Sequence, residues 1–159
     1  MKQLITSAEV ISIAFGTTNT LREEAVPAHT ILAAQRRFLR PVVGRELFDL
    51  LVAENPSEEC TKFTEEFLKV PLALYVASVV LPSLAVQVGT AGVVRLSGES
   101  FEVADSAAMR AALRRLRHDA EALIDAATEQ LALLPTLGPL YSPEENVRSR
   151  TSLSGGIVL

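Results

Sequence analysis

The most constraining feature of this sequence is a long stretch without a charged side chain, from Val70 to Val94. It reads VPLALYVASVVLPSLAVQVGTAGVV and is long and apolar enough for a membrane-spanning helix. Pro71 and Pro82 interrupt it, Gln87 lies near its end, and no strong basic cluster flanks it. These features favour a helix buried at the centre of a soluble protein, against which amphipathic helices pack. A small membrane-associated protein that uses residues 70–88 is the alternative.

The bulk composition suits one globular domain. The chain has 159 residues, of which 48% are hydrophobic, but only 5% are aromatic, so Leu, Val, Ile and Ala must build the core. A net charge of −4 argues against a protein that coats nucleic acid by bulk electrostatics. The single cysteine, Cys60, excludes an intrachain disulfide and fits a cytosolic environment.

Helical signals run through most of the chain. Thr6 and Glu9 have the spacing of a capping box, Gly16 is placed to end that helix, and Ser57 is placed to cap a later one. Pro41 is expected to break or bend the second helix. Two further helices show apolar stripes at helical spacing, one through Phe63, Phe67, Val70, Leu74, Ala77, Leu81 and Leu84, and one through Met109, Leu113, Leu116, Ala120, Leu123, Ala127 and Leu131.

The predicted fold class is mainly α. We expect a bundle of four to five helices over residues 1–134, with a β-hairpin or extended arm at about 90–104, before the last long helix. The hairpin prediction rests on two apolar runs that flank the sequence SGES, namely Val93, Val94 and Leu96, and then Phe101 and Val103. Residues 135–159 hold prolines and glycines without periodicity, and they predict an extended C-terminal arm.

The sequence RSRTSLSGGIVL closes the chain with a segment typical of a β-strand. Two glycines that give reach precede three aliphatic residues, in the order Gly155, Gly156, Ile157, Val158 and Leu159. One interpretation is that this segment adds a strand to an exposed sheet edge of a neighbouring subunit. The other is that it folds back onto its own domain.

No motif of catalysis or cofactor binding occurs in the sequence, so we predict neither an enzyme, nor a cofactor, nor a metal site. His29 and His118 lie on different helices and have no ligand residue nearby in the sequence. Cys60 has two glutamates beside it, which oppose the lowered thiol pKa that a nucleophile needs. Ordinary structural roles are the favoured interpretation for all three.

A stripe of arginines on the last helix is the most distinctive charged feature. Arg110, Arg114 and Arg117 have the spacing of one helix face, which predicts contacts with an acidic partner or with a DNA backbone. The alternative is internal pairing, because Arg115–Asp119 and Arg117–Glu121 are each four residues apart.

Several of these segments together resemble a known family. A capped N-terminal helix precedes AQRRFLRPVVGRELFDLLV, and a long apolar helix precedes GTAGVVRLSGESFEVADSAAMRAALRRLRHDAEALIDAATEQL. With the closing GGIVL, this order resembles the head–tail connector (adaptor or head-completion) proteins of tailed bacteriophages. The resemblance covers roughly residues 6–134 and the final residues.

The resemblance implies a structural role without catalysis. Such adaptors are helical bundles with an extended arm, and they form rings, commonly of twelve subunits, beneath the portal protein at the capsid vertex. The ring extends the DNA channel, touches DNA at most transiently, and receives the stopper or tail proteins. It implies a virion protein made in the host cytoplasm, with self, portal and tail partners and no membrane. Residues 93–103 and 154–159 are the expected subunit or portal contacts. A cytosolic helical protein-binding module, such as a regulator or a chaperone-like adaptor, is the alternative function.

Overall fold

The computed structural model describes residues 2–16, 21–84, 86–89, 92–95 and 106–148, with the backbone alone for the two four-residue ranges. These residues form a mainly α-helical fold, which confirms the predicted class. In chain order the helices and strands are α1 (Ser7–Phe15), α2 (28–43), α3 (Arg45–Leu51), α4 (Glu58–Leu84), β1 (Val86–Gly89), β2 (Gly92–Arg95) and α5 (Ser106–Leu131). Short 3-10 turns occupy Glu23–Ala25 and Gly138–Leu140.

The predicted helix boundaries at caps are confirmed. The Thr6 hydroxyl accepts from the Glu9 backbone N–H at 3.2 Å, and the Glu9 carboxylate accepts from the Thr6 N–H at 2.8 Å. Gly16 ends α1 with a φ of 78°, and Ser57 caps α4 by accepting from the Cys60 N–H. Each cap satisfies a backbone group that the first or last helical turn leaves without a partner.

The first part of the apolar stretch, from Val70 to Leu84, belongs to α4, which packs against α1, α2 and α5 at the centre of the bundle. Leu72, Ala73, Val76 and Ala77 are fully buried in it, whereas Val70 is 40% exposed. Within the described residues, α4 is also the one helix long and apolar enough to cross a membrane. A core helix passes that same test, and half of its most apolar window is buried.

The buried face of α4 differs from the predicted stripe by one residue after Phe63. A π-helical turn at Thr64–Leu68 adds a residue to one turn of the helix. The buried positions therefore continue from Phe63 to Leu68, then Leu72, Val76 and Val80. Of the predicted stripe, Ala77 is buried as expected, whereas Phe67 is only partly buried and Val70 is 40% exposed. A π-helical turn also occurs in α2, which comprises Ala28–Ala34, the π-helical turn at Gln35–Leu39, and Arg40–Val43.

Both π-helical turns lie just before a proline. Pro41 and Pro71 have no N–H to donate, and a proline ring clashes with the carbonyl four residues earlier, at Arg37 and Phe67 respectively. Those carbonyls belong to the wider turns, which accommodate the ring. The helix α2 therefore continues through Pro41, contrary to the expected break, and ends at Gly44 with a φ of 85°.

The predicted hairpin with its turn at SGES is not supported. The described strands lie earlier in the chain: β1 and β2 pair antiparallel, with Val86 opposite Arg95 and Gly89 opposite Gly92. The second half of the predicted hairpin, residues 96–104, lies outside the described residues.

The segment after α5 differs from the extended arm expected from Pro135. Leu137 is 1% exposed and joins the hydrophobic core, and Asn146 is 4% exposed. The Asn146 side chain donates to the Tyr141 hydroxyl at 2.9 Å and accepts from the Arg148 N–H at 2.9 Å. The chain is thus packed as far as Arg148, and the rest of the predicted arm, residues 149–159, lies outside the described residues.

Candidate interaction surfaces

The first half of α5 extends beyond the hydrophobic core. Residues 106–119 include no buried residue, whereas Ala120, Ile124, Ala127 and Leu131 are buried at helical spacing. At 1.5 Å per residue, the half without burial is about 20 Å long. In α4, burial stops in the same way after Val80. These two helix ends without a fully buried residue are the ones that flank residues 85–105 in the chain.

The predicted arginine stripe lies on this extended half of α5. Arg110, Arg114 and Arg117 are all exposed, and none of them has an ion pair with a described residue. Met109, Leu113 and Leu116 are half-buried beside them. A helix half with an apolar stripe, an arginine stripe and no buried residue is an exposed surface suited to a partner.

Internal pairing accounts for only one of the two expected arginine pairs. Arg115 lies 3.7 Å from Asp119, as predicted, in an exposed pair of small energetic value. The expected pair between Arg117 and Glu121 does not form, because Glu121 lies 3.5 Å from Arg148 instead. Arg117 instead lines a cleft between the helices.

A cleft of about 350 Å³ lies between α2, α4, α5 and the C-terminal segment. Phe38 of α2 stacks on Tyr75 of α4 with ring centroids 4.3 Å apart and planes 2° from parallel. Arg37 and Arg117 also line the cleft, and so does Arg148. The full lining is Arg37, Phe38, Pro41, Val42, Tyr75, Arg117, Glu121, Val147 and Arg148.

Arg148 fixes the C-terminal segment to α5. Its guanidinium donates two hydrogen bonds to the Asp125 carboxylate, at 2.7 Å from Nε and 2.8 Å from Nη2. These bonds raise the pKa of Arg148, and burial raises the pKa of Tyr75 beside it to about 12. Both groups therefore keep a single charge state over the physiological pH range. The bidentate pair therefore holds the chain at Arg148 against α5.

A second polar cluster attaches the N-terminal segment. Gln35, fully buried in the π-helical turn of α2, accepts from the Leu4 N–H at 2.9 Å and donates to the Lys2 carbonyl at 3.2 Å. Lys69 bridges the Glu9 carboxylate at 2.5 Å and the Glu65 carboxylate at 2.7 Å. Of these bonds, only the Glu65–Lys69 pair, at a spacing of four residues, leaves a signal in the sequence.

Within this cluster, Glu9 and Lys69 shift each other's pKa. The hydrogen bond from Lys69 lowers the pKa of Glu9, and the bond from the Thr6 backbone N–H adds to that effect. Burial by itself lowers the pKa of Lys69, but its bonds to Glu65 and Glu9 outweigh burial, so the net shift is upward. The cluster therefore stabilises the ionised form of both partners at neutral pH.

The histidines and the cysteine lie in different environments. His29 is exposed on α2, and the His118 side chain is 84% exposed, with Nδ1 3.9 Å from Asp119. Cys60 is 3% exposed in the core. Among the described residues, no group of three or more His, Cys, Asp or Glu could hold a metal ion.

The remaining sequence candidates are described in part or not at all. The backbone of Val93 and Val94 lies in β2, and their side chains are outside the described part of the structure. The other predicted interface residues lie outside the described residues, namely Leu96, Phe101, Val103, Gly155, Gly156, Ile157, Val158 and Leu159.

The described residues thus define a helical bundle whose notable features are exposed surfaces. Residues 39–151 match DUF6712, a family of unknown function, and the chain belongs to this family. No curated protein and no solved structure is significantly similar to it.

Proposed function

We propose that this protein is a structural adaptor that forms a ring at the portal vertex of a phage or phage-like particle. In that role it joins the capsid to the tail and extends the DNA channel. Portal and tail proteins are its partners in the virion, and it catalyses no reaction. Its expected partners and its location in the virion follow from this role.

The observation that carries the proposal is the extended half of α5. A helix of this length costs conformational entropy, and residues 106–119 bury no side chain to offset that cost. A partner that covers Met109, Leu113 and Leu116 would supply the missing burial. Ring subunits and portal proteins are partners of that kind, because each presents a repeated surface.

The charge pattern of α5 supports the same role. Arg110, Arg114 and Arg117 are exposed on one side of the extended half and form no ion pair with a described residue, so they can contact an acidic partner surface or the DNA in a channel. The net charge of −4 fits a channel wall, because strong basic contacts along its whole length would slow DNA passage.

Arg148, the residue that precedes the C-terminal segment 149–159, is held on the bundle. Because Arg148 is held by Asp125, residues 149–159 begin at a fixed place on the bundle. A short strand there, at the end of the glycine-containing segment, would add to a sheet edge of a neighbouring subunit or of the portal protein.

The test combines light scattering with native mass spectrometry, on the full chain alone and with the portal protein encoded in the same genome. We expect closed rings, or a ring on the portal. Deletion of residues 149–159 should weaken this assembly while the melting temperature stays unchanged, because Arg148 and Asp125 remain paired.

The outcomes separate the proposed function from its rivals. A chain that stays monomeric and never binds the portal protein overturns the proposal. Binding of one unrelated protein without ring formation would support the helical binding module instead. Partition into detergent would support the membrane-associated alternative.

A further inference from the structure

Three arginines outside the α5 stripe share one exposed face of the bundle. Arg36 and Arg40 of α2 and Arg45 of α3 line a depression of about 340 Å³ together with Glu145. Arg36 and Arg40 also line the adjoining depression beside Asp49. We call Arg36, Arg40 and Arg45 the basic face.

Arg36 and Arg40 have no acid three or four residues away in the sequence, whereas Arg45 has Asp49 four residues further on. None of the three arginines forms an ion pair with a described residue, although Glu145 and Asp49 lie in the same depressions. Arg36 and Arg40 are four residues apart, a spacing at which like charges destabilise a helix by tenths of a kcal/mol. Elsewhere the chain places acids at that spacing, as in Lys62–Glu58 and Lys69–Glu65. The basic face therefore retains an unfavourable charge arrangement that an external anion would relieve.

Unpaired acids occur on α4 of the same chain. Glu58 and Glu65 have lysine partners, but the neighbouring Glu59 and Glu66 have no ion pair with a described residue. In a homo-oligomer, a basic surface on one copy and an acidic surface on the next are present in equal amounts. A head-to-tail interface of this type leads to a ring when its rotation closes.

We propose that the basic face binds Glu59 and Glu66 of a second copy of this chain, and that this contact joins neighbouring subunits. The inference rests on the proposed ring and names the contact that builds it. Guanidinium groups suit separate carboxylates, because each forms a planar two-bond pair. Asp49 and Glu145 repel any anion, but two separate carboxylates can lie away from them, whereas the unbroken row of phosphates in a DNA backbone cannot.

The experiment uses two charge-reversed full-length variants, Arg36→Glu/Arg40→Glu and Glu59→Arg/Glu66→Arg. Sedimentation velocity across protein concentration, at low and at physiological salt, measures assembly. Each variant alone should need at least ten-fold more protein for half-assembly than the wild type. An equimolar mixture of the two should assemble as the wild type does, because every contact in alternating copies again joins opposite charges.

The control is Lys2→Glu/Arg22→Glu, which makes the same change in net charge at two exposed basic residues elsewhere. It should assemble as the wild type does, and circular dichroism should show that all variants fold. Unchanged assembly of Arg36→Glu/Arg40→Glu overturns this inference while leaving the ring in place, and so does a mixture that fails to assemble. Loss of duplex-DNA binding by that variant with unchanged assembly also overturns it, in favour of a nucleic-acid surface. A wild type that forms no oligomer and never binds the portal protein overturns the inference and the proposed function together.

Discussion

The two halves of α5 differ in how much of their surface is buried by the protein's own core. From Ala120 to Leu131 the helix buries one side chain per turn against the core, and Asp125 holds Arg148 there. From Ser106 to Asp119 the same helix buries none and is rich in arginine. The helix thus connects a region stabilised by its own packing with a region whose amphipathic pattern is suited to another molecule.

The strongest test of this contrast compares two leucine truncations. Leu72 is fully buried in α4, so Leu72→Ala should lower the free energy of unfolding by about 3 kcal/mol. Leu113 is half-buried on the extended half of α5, and Leu113→Ala should cost less than about 1 kcal/mol in the isolated protein. Urea denaturation measures both. Equal losses would mean that residues 106–119 belong to the core after all.

A smaller effect is expected where a polar group supports the packed region. Gln35→Leu leaves the Leu4 N–H without its acceptor in a buried site, which should cost about 2 kcal/mol. It should also release the N-terminal residues, so that their amide hydrogens exchange faster. The exposed Gln130 on α5 provides the control, since Gln130→Leu should change the stability by less than about 0.5 kcal/mol. Unchanged hydrogen exchange at Leu4 would contradict the role of Gln35.

The smallest effect concerns pH. Because the pKa of Glu9 is lowered from 4.5 in the folded state, its contribution is present above pH 4.5 and is lost as the pH falls through the folded value. The stability difference between wild type and Glu9→Gln should therefore shrink below pH 4.5. For Lys69 the sign is opposite: its contribution is present below pH 10.5 and is lost as the pH rises through the raised value.

Unfolding curves between pH 7 and pH 3 measure the Glu9 effect. Glu129→Gln serves as the matched control, because Glu129 is exposed and has no ion pair with a described residue. Parallel pH profiles for the wild type and Glu9→Gln would show that Lys69 does not stabilise the ionised carboxylate.

The sequence predicts what local rules determine. Caps at Thr6 and Ser57 are confirmed because capping depends on residues three apart in the chain. The pair between Arg148 and Asp125 joins residues 23 apart, and the bond from Gln35 to Leu4 joins residues 31 apart, so no helical spacing predicts either of them. Exposure of Arg110, Arg114 and Arg117 follows from their spacing, whereas the absence of an Arg117–Glu121 pair depends on a competitor from a distant segment.

The π-helical turns bear on how this chain is compared with its relatives. Each of α2 and α4 holds one residue more than a regular helix would need to present the same buried faces. A related chain that lacks that residue, and the proline that follows, would bury equivalent side chains on an uninterrupted helix. Alignment within the family should therefore allow a one-residue gap inside Gln35–Leu39 and Thr64–Leu68, in the middle of helices, where gaps are usually penalised most.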